Sequence, residues 1–565
     1  MQTALSISLG APDAAAILAP LVVPCVARAF AFMDTNRTSA TYGCADRPYW
    51  YYRTLTNFSG STWQQIMLGH AALYKAQHAG NPHAGDPVVL EAASAALSYW
   101  SRLAHRDGAF DEWYLNEFSY CPTAITGAGA ALTLELIGDA LSPEVGKSAS
   151  EALCQAASWL DRRYNPTVMN QNLAAAVALA GAAKIDPKWR APAEARLARV
   201  RKDQNSEGWF PEYSGADLGY SSLALDLLAA YDRLIGSEES CAMAQQLTRF
   251  LTAAQGGWMA LCGRVGSRGT SHLFPYGALH FAPRDAGAAQ LLPSWLSGLS
   301  QGVAPNPGSV DDRYFAYFYF PQFALAYEQA TRAATLLSPP AVEQSGILDL
   351  PSSGFVAVRR GGWAALVSRR LGGALAIDGG ANVPLYHLGY EIETGSGRFS
   401  SANWDENVAC TPVAGNVIHA QSEFRSSSAG VPLKTLMAPF QLIVGFLRTS
   451  ALAEGFQGMI KRKMIAPRGV PGLRLERRIT VVDDGLEIGD RLIPRAGLGT
   501  IKRMDIARTI SMHSPSARQD PGRNVALPEQ LLTVAAARLN ANRKVNIRFT
   551  IDGKTGEVRR AELDE

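Results

Sequence analysis

The chain has 565 residues, 47% hydrophobic and 18% charged, which is room for two to four packed units at roughly 100 to 200 residues each and too apolar for a disordered chain. Lys and Arg number 53 against 50 Asp and Glu, so the overall field is not that of a protein that coats nucleic acid, and an anionic ligand must be held by a local site. The seven cysteines, at 25, 44, 121, 154, 241, 262 and 410, contain no CxxC pair, which argues against a disulfide framework or a zinc knuckle and for core thiols.

The amino terminus carries an apolar run at 14–27 with no preceding positive residue and an aspartate on its edge, a poor signal peptide. No stretch reads as some 18 uninterrupted strongly apolar residues, so no membrane association is expected and the location expected is cytoplasmic, with the periplasm as the alternative. Residues 1–45 read as an extension preceding the first domain.

From about 60 to 340 the apolar positions recur at helical spacing. Segments 123–139, 167–184 and 217–236 are apolar nearly all round, whereas 147–163, 188–204 and 239–254 are charged on one face. The alternation steps by roughly 45 to 50 residues, as stacked helix pairs do. Enclosed helices walled by solvent-facing ones predict an α/α toroid (incomplete α/α barrel) over 46–345, ending in the turn-rich stretch 337–354.

Beyond it, 355–370 and 473–493 alternate with period 2, the latter folding back at Asp483-Asp484-Gly485. A last pair flanks 552–556. Strands without intervening helices predict an antiparallel β-sandwich over 346–565.

Three clusters precede or open the enclosed helices: Trp113 to Tyr120, which includes Asn116 and Glu117; Asn170-Gln171-Asn172; and Glu207 to Tyr213, with Trp209 and Glu212, running on to Asp217 and Tyr220. Aromatic faces, amides and carboxylates together suit a sugar ring and its hydroxyls. A Gly-rich loop over 266–280 adds Arg268, suited to gripping a carboxylate, His272 and Tyr276, suited to moving a proton, and His280, read as a core neighbour. In the strand half, Tyr386-His387 and 398–407 are rich in polar and aromatic residues, placed to lean a strand or loop into the cleft. His387, Asp405 and His419 form a chemically suitable set for a zinc or other divalent ion.

The order of MNQNLAAAVALAG, EGWFPEYSGADLGYSSLAL and SSGFVAVRRGGW followed by His387, spanning about 45 to 495, resembles the heparinase II/III-like polysaccharide lyases, which join an α/α toroid to a β-sandwich. The resemblance implies β-elimination on an anionic, uronic-acid-containing polysaccharide or oligosaccharide with no required cofactor. The family's Asn-His pair stands here as Asn170-Gln171-Asn172, and of its Tyr, His and second Tyr only the last is retained, as Tyr220. It implies Asn170 or Asn172 on the uronate carboxylate, Tyr220 as base, acid or both with its pKa lowered by Arg268 or a histidine, and His387 as a second proton-transfer group. Glu212, Tyr213, Tyr120, Trp209 and Tyr386 would contact substrate. Two other readings share the cleft: an α/α-toroid glycoside hydrolase using a pair from Glu117, Glu212 and Asp217, and a carbohydrate-binding protein without turnover.

Overall fold

A computed structural model of the chain describes residues 13–52, 57–255, 258, 260–332, 345–378, 383–427, 437–465, 472–510 and 522–564. The expected domain boundary at 337–354 lies partly outside them.

Among the described residues twelve helices form the double ring of the first unit, with short helices at Val26–Phe32, Arg47–Trp50 and Asp312–Tyr314 between them. Six are walls: α1 (Ala14–Val22), α3 (Pro87–Leu103), α5 (Pro143–Asp161), α7 (Arg190–Asp203), α9 (Glu238–Gln255) and α11 (Ala286–Ser300). Six are inner: α2 (Ile66–Lys75), α4 (Tyr120–Ile137), α6 (Met169–Ile185), α8 (Leu218–Ile235), α10 (Tyr276–Phe281) and α12 (Phe320–Arg332). Each inner helix packs on the next, and α12 packs back on α2, so the ring closes. Side-chain caps start the helices where the sequence supplies them: Asp86 accepts from the Val88 N–H at 2.9 Å, and Ser142 begins α5 ahead of a proline. The all-round apolar character of the inner helices follows from enclosure, and their small residues follow from close approach. A Cβ on Gly181 of α6 would stand 2.2 Å from the Ala131 Cβ of α4, and one on Gly129 would stand 1.7 Å from Gln65 Oε1.

Residues 14–33, expected to be an extension, instead supply the wall beside α11 and α12, with Ala14, Leu18 and Val22 fully buried. Ala14–Phe32 and Tyr120–Ala140 are also long and apolar enough to cross a membrane by length and composition, although polar and small residues interrupt their apolar runs. The first is broken by a short 3-10 turn at Val23–Cys25, and both are packed into the barrel. The seven cysteines are buried or half-buried.

Among the described residues fifteen strands follow in three sheets: β1 (Gly346–Leu350), β2 (Phe355–Arg360), β3 (Trp363–Ser368), β4 (Ala374–Asp378) and β5 (Leu385–His387) with β13 (Arg523–Asn524) beside β5; β15 (Val558–Leu563), β14 (Val545–Asp552), β11 (Gly485–Pro494), β10 (Leu473–Val482) and β8 (Val417–Glu423); and β12 (Ile501–Ile506), β6 (Tyr390–Thr394), β7 (Gly397–Ser400) and β9 (Arg425–Ser426), all antiparallel except the β13–β5 pair. The hairpin of β10 (Leu473–Val482) and β11 (Gly485–Pro494) is in the expected register, Val482 facing Gly485. In β2 (Phe355–Arg360), Phe355 and Ala357 face the barrel core while Val356 and Val358 face the sandwich core. Burial on both faces makes this strand apolar at successive positions. Across the junction Arg359 donates to the carbonyls of Thr252 and Ala253 at 2.9 and 3.0 Å.

The strand half is not free of helices. Between β9 (Arg425–Ser426) and β10, helices α13 (Met437–Phe446) and α14 (Ser450–Ile465) lie on the barrel, where Trp159 donates to Ser450 Oγ at 3.0 Å and Arg163 pairs with Glu454 at 2.6 Å. A further helix, α15 (Glu529–Asn540), packs beside β12 (Ile501–Ile506).

Candidate active site

The amino ends of α4, α6 and α8 share one mouth of the barrel, and loops before them line it. The turn 211–215 is tied to the start of α6 and the segment before it: Met169 donates to the Pro211 carbonyl at 3.2 Å and Tyr213 to that of Thr167 at 2.8 Å. Four non-glycine residues of the mouth loops, Asn116, Phe118, Tyr213 and Ser214, have φ between 49° and 68°. Such conformations cost of the order of 1 kcal/mol or more each and persist where surrounding structure imposes them.

Asp217 is fully buried and caps α8. Its carboxylate accepts from the N–H groups of Tyr220 (2.9 Å), Arg268 (3.0 Å) and Thr270 (3.3 Å) and from the Thr270 hydroxyl. It therefore stitches the Gly266–Thr270 loop to the start of α8, which aims Tyr220 and Arg268 at the same space.

Arg268 lies over the Tyr213 ring, 4.3 Å from its centroid, and among the described residues its guanidinium is in no ion pair and its Nε has no partner. Stacking fixes the plane of the guanidinium and leaves its edges for a carboxylate. Glu212, 3% exposed, accepts the Asn170 N–H at 2.9 Å on Oε1, while Oε2 is buried without a partner. Burial raises this carboxyl to about 8; bonds from the Asn170 backbone and amide, and the charge of Arg268, oppose the rise without cancelling it.

Half-buried Tyr220 sits with its ring edge-on to His272, centroids 5.8 Å apart. Burial holds its phenol well above the ordinary value, with Tyr314 adding to the rise and Arg268 opposing it. The expectation that a cation would lower Tyr220 is thus corrected, because desolvation of the phenolate outweighs the one cation near it. His272, 1% exposed, bonds through Nδ1 to the Tyr319 hydroxyl at 2.9 Å; its Nε2 has no partner, and burial lowers it to about 3, so it is neutral. Trp404, from the sandwich loop after β7 (Gly397–Ser400), closes one side: a Cβ on Gly215 would meet its ring at 2.4 Å.

Other predicted site residues fall elsewhere. Asn172 is fully buried, its oxygen accepting the Tyr120 hydroxyl at 2.7 Å and its amide donating to the Asn165 carbonyl at 2.6 Å. Tyr120, raised to about 12 by burial, also accepts from Arg196 of α7, so this pair joins inner to outer helices instead of meeting substrate. Trp209 is 5% exposed and bonds Glu207, which accepts the N–H groups of Ser352 and Ser353 at the sandwich junction. Tyr276 is buried near the Arg233–Glu328 ion pair of α8 and α12. Tyr386 is buried with Arg264 over its ring at 5.0 Å, between sheet and barrel. Asn116 donates to the Val444 carbonyl of α13 at 3.1 Å, and Glu117 accepts the N–H groups of Glu112 and Trp113 at 2.8 and 2.7 Å.

His387 lies inside the sandwich, with its ring 5.0 Å from that of Phe549, and burial holds it well below its ordinary value. It cannot reach the mouth. Nor does it meet the other two proposed metal ligands: Asp405 pairs with Arg425 at 3.0 Å and His419 is exposed on β8 (Val417–Glu423). Among the described residues no three His, Cys, Asp or Glu side chains converge as a metal site. Sequence reading missed Tyr314 and Tyr319, which sit in and beside a π-helical turn at Phe315–Tyr319; a run of aromatics ahead of the last inner helix was the available signal.

No protein-family model matches the chain, and no curated protein sequence matches it. Among solved structures, the chain is similar to chondroitin AC lyase of Streptomyces coelicolor A3 in complex with chondroitin sulphate, at 14% identity and TM-score 0.48, covering 85% of this chain and 66% of that one. A mutant of that lyase aligns at 13% identity and TM-score 0.46 over the same shares. Cellobiose 2-epimerase of Spirochaeta thermophila DSM 6192 aligns at 12% identity and TM-score 0.36, over 56% of this chain and 96% of that one. The chain thus spans just under two thirds of the lyase's length. These are likenesses in the arrangement of helices and strands.

Proposed function

We propose that this protein is a polysaccharide lyase of the heparinase II/III-like kind, cleaving a uronic-acid-containing polysaccharide or oligosaccharide by β-elimination to leave a 4,5-unsaturated uronate end. The observation that carries the reading is a tyrosine, Tyr220, sharing one mouth with Arg268, whose guanidinium is in no ion pair among the described residues, while the Asp217 carboxylate beside them is held by four donors. Arg268 grips the uronate carboxylate and stabilises the charge that builds on it as the C5 proton leaves, an effect worth about 100- to 1,000-fold for one good donor.

Tyr220 starts protonated, which suits a relay. Its oxygen takes the C5 proton as its own proton passes to O4; the C5–H pair becomes the C4=C5 bond and the C4–O4 bond breaks toward oxygen. Arg268 lowers the cost of the negative charge passing through the phenol. Neutral His272 packs behind the ring and holds its orientation.

A hydrolase would need two carboxyls roughly 5 to 10 Å apart with free oxygens. Of the three candidates Asp217 is saturated by four donors, whereas Glu117 takes both of its backbone N–H bonds on Oε2, so Glu212 and Glu117 are the two that keep an oxygen for that role. The test is to incubate the purified protein with a panel of uronic-acid polysaccharides and follow the ultraviolet absorbance of the unsaturated product. A rise proportional to protein is expected; new reducing ends without absorbance would replace elimination by hydrolysis, and neither signal, with binding retained, would leave a binding protein.

A further inference from the structure

Glu212 and Arg268 form an unusual neighbourhood. Among the described residues the buried Oε2 of Glu212 and the Nε of nearby Arg268 both lack a hydrogen-bond partner, and the two side chains do not join in an ion pair. An ionised carboxylate left buried and unpaired is costly enough that it recruits the nearest cation or takes up a proton. Arg268 is that cation, and here it rests on Tyr213 instead.

We propose that Glu212 is a positioning residue that decides whether Arg268 is available to substrate: as a neutral acid it leaves the guanidinium on Tyr213 facing the mouth, and as a carboxylate it captures the guanidinium and closes the anion site. This rests on the reading of Arg268 as the uronate-binding group. The groups that face Glu212 are few. Asp217 and Tyr220 come from α8 and its cap, Tyr213 from its own turn, and Arg268 from the loop after α9; α6 offers the Asn170 amide and N–H, and the sandwich loop offers the Trp404 ring against Gly215. Asp217 is held by four donors and Tyr220 by burial, so the carboxyl of Glu212, raised to about 8, is the group of this set that titrates between neutral and mildly alkaline pH. The binding-competent fraction falls as that proton leaves, and apparent affinity falls with it.

The experiment is calorimetric binding of glucuronate to the full chain between pH 6 and pH 10, alongside the pH dependence of kcat and KM on any polysaccharide that is cleaved. Affinity is expected to fall about tenfold from pH 7 to pH 9, the change in protonated fraction of a group titrating near 8. The loss should appear in KM and leave kcat nearly unchanged. Glu212→Gln, which keeps the shape and cannot ionise, should lose the alkaline fall, its affinity at pH 9 matching its own at pH 7; Arg268→Gln should bind weakly at every pH. An alkaline fall that survives in Glu212→Gln overturns the proposal, as does a Glu212→Gln variant that binds normally and loses kcat, since the carboxylate would then be the base. If the glutamine variant does not fold, a wild-type affinity flat across pH 8 overturns the proposal by itself. Uronate binding with the expected profile and no elimination from any substrate would sink the lyase reading and leave this one standing.

Discussion

The barrel mouth and the interior of the sandwich each gather histidine, tyrosine, arginine and carboxylate, and they use them in opposite ways. Inside the sandwich Arg477 and Asp490 are fully buried and joined by two bonds of 2.7 and 2.6 Å, and Tyr390 donates to the same aspartate at 2.7 Å. At the mouth Glu212 Oε2, Arg268 Nε and His272 Nε2 lack hydrogen-bond partners among the described residues. Satisfied buried polar groups hold a core together, whereas unsatisfied ones at an opening cost stability and are poised for a ligand. His387, with one nitrogen unpartnered, belongs to the first region by position.

The sharpest way to break this contrast is a pair of substitutions. Tyr220→Phe is expected to cut kcat for elimination by about 100- to 10,000-fold with little change in melting temperature. His387→Ala should do the reverse, lowering the melting temperature and leaving kcat within a few-fold; a His387→Ala enzyme that folds normally and loses kcat would return this histidine to the mechanism. Asp490→Ala leaves the Arg477 charge buried and unpaired, so chemical denaturation should show a loss of about 3 to 5 kcal/mol, with kcat/KM of the folded fraction preserved.

Glu117 sharpens the comparison by pH. Burial and the neighbouring Glu112 raise it from 4.5 to about 7, against two backbone N–H bonds that oppose the rise. Below pH 4.5 both folded and unfolded chains hold the proton; between 4.5 and 7 only the folded chain keeps it, so this group's contribution to stability falls as pH rises, and above 7 the penalty is constant. Glu117→Gln should therefore gain on the wild type steadily across that window in calorimetric melting, while elimination proceeds unimpaired. The smallest effect expected is from Trp113→Ala. The ring is 60% exposed with Arg313 stacked at 3.6 Å, so stability should move by no more than about 0.5 kcal/mol.

Much of the helical half was legible in the sequence. Segments 123–139, 167–184 and 217–236 correspond to α4, α6 and α8, since a helix enclosed on all sides must be apolar on all sides. The β10–β11 hairpin was legible for the analogous period-2 reason. Helices α13 and α14 escaped because they interrupt the strand half and carry exposed apolar residues such as Leu442 and Phe446, which blurs helical patterning. In the site, Tyr220, Glu212, Tyr213, Arg268 and His272 were picked out by composition and do come together. Asn172, Tyr120 and Trp209 were picked out by the same composition and form structural joints, because an amide or ring at a helix start serves a neighbouring helix as readily as a ligand.

By itself the sequence determined the two architectures and the chemical inventory of the mouth, because periodicity and residue type are local properties. Tertiary structure alone decided that α1 completes the barrel wall, that His387 turns into the sandwich and that Arg268 stacks on Tyr213 near Glu212. Those outcomes depend on which surfaces remain to be covered and which polar groups find partners, and both are set by segments far apart in the chain.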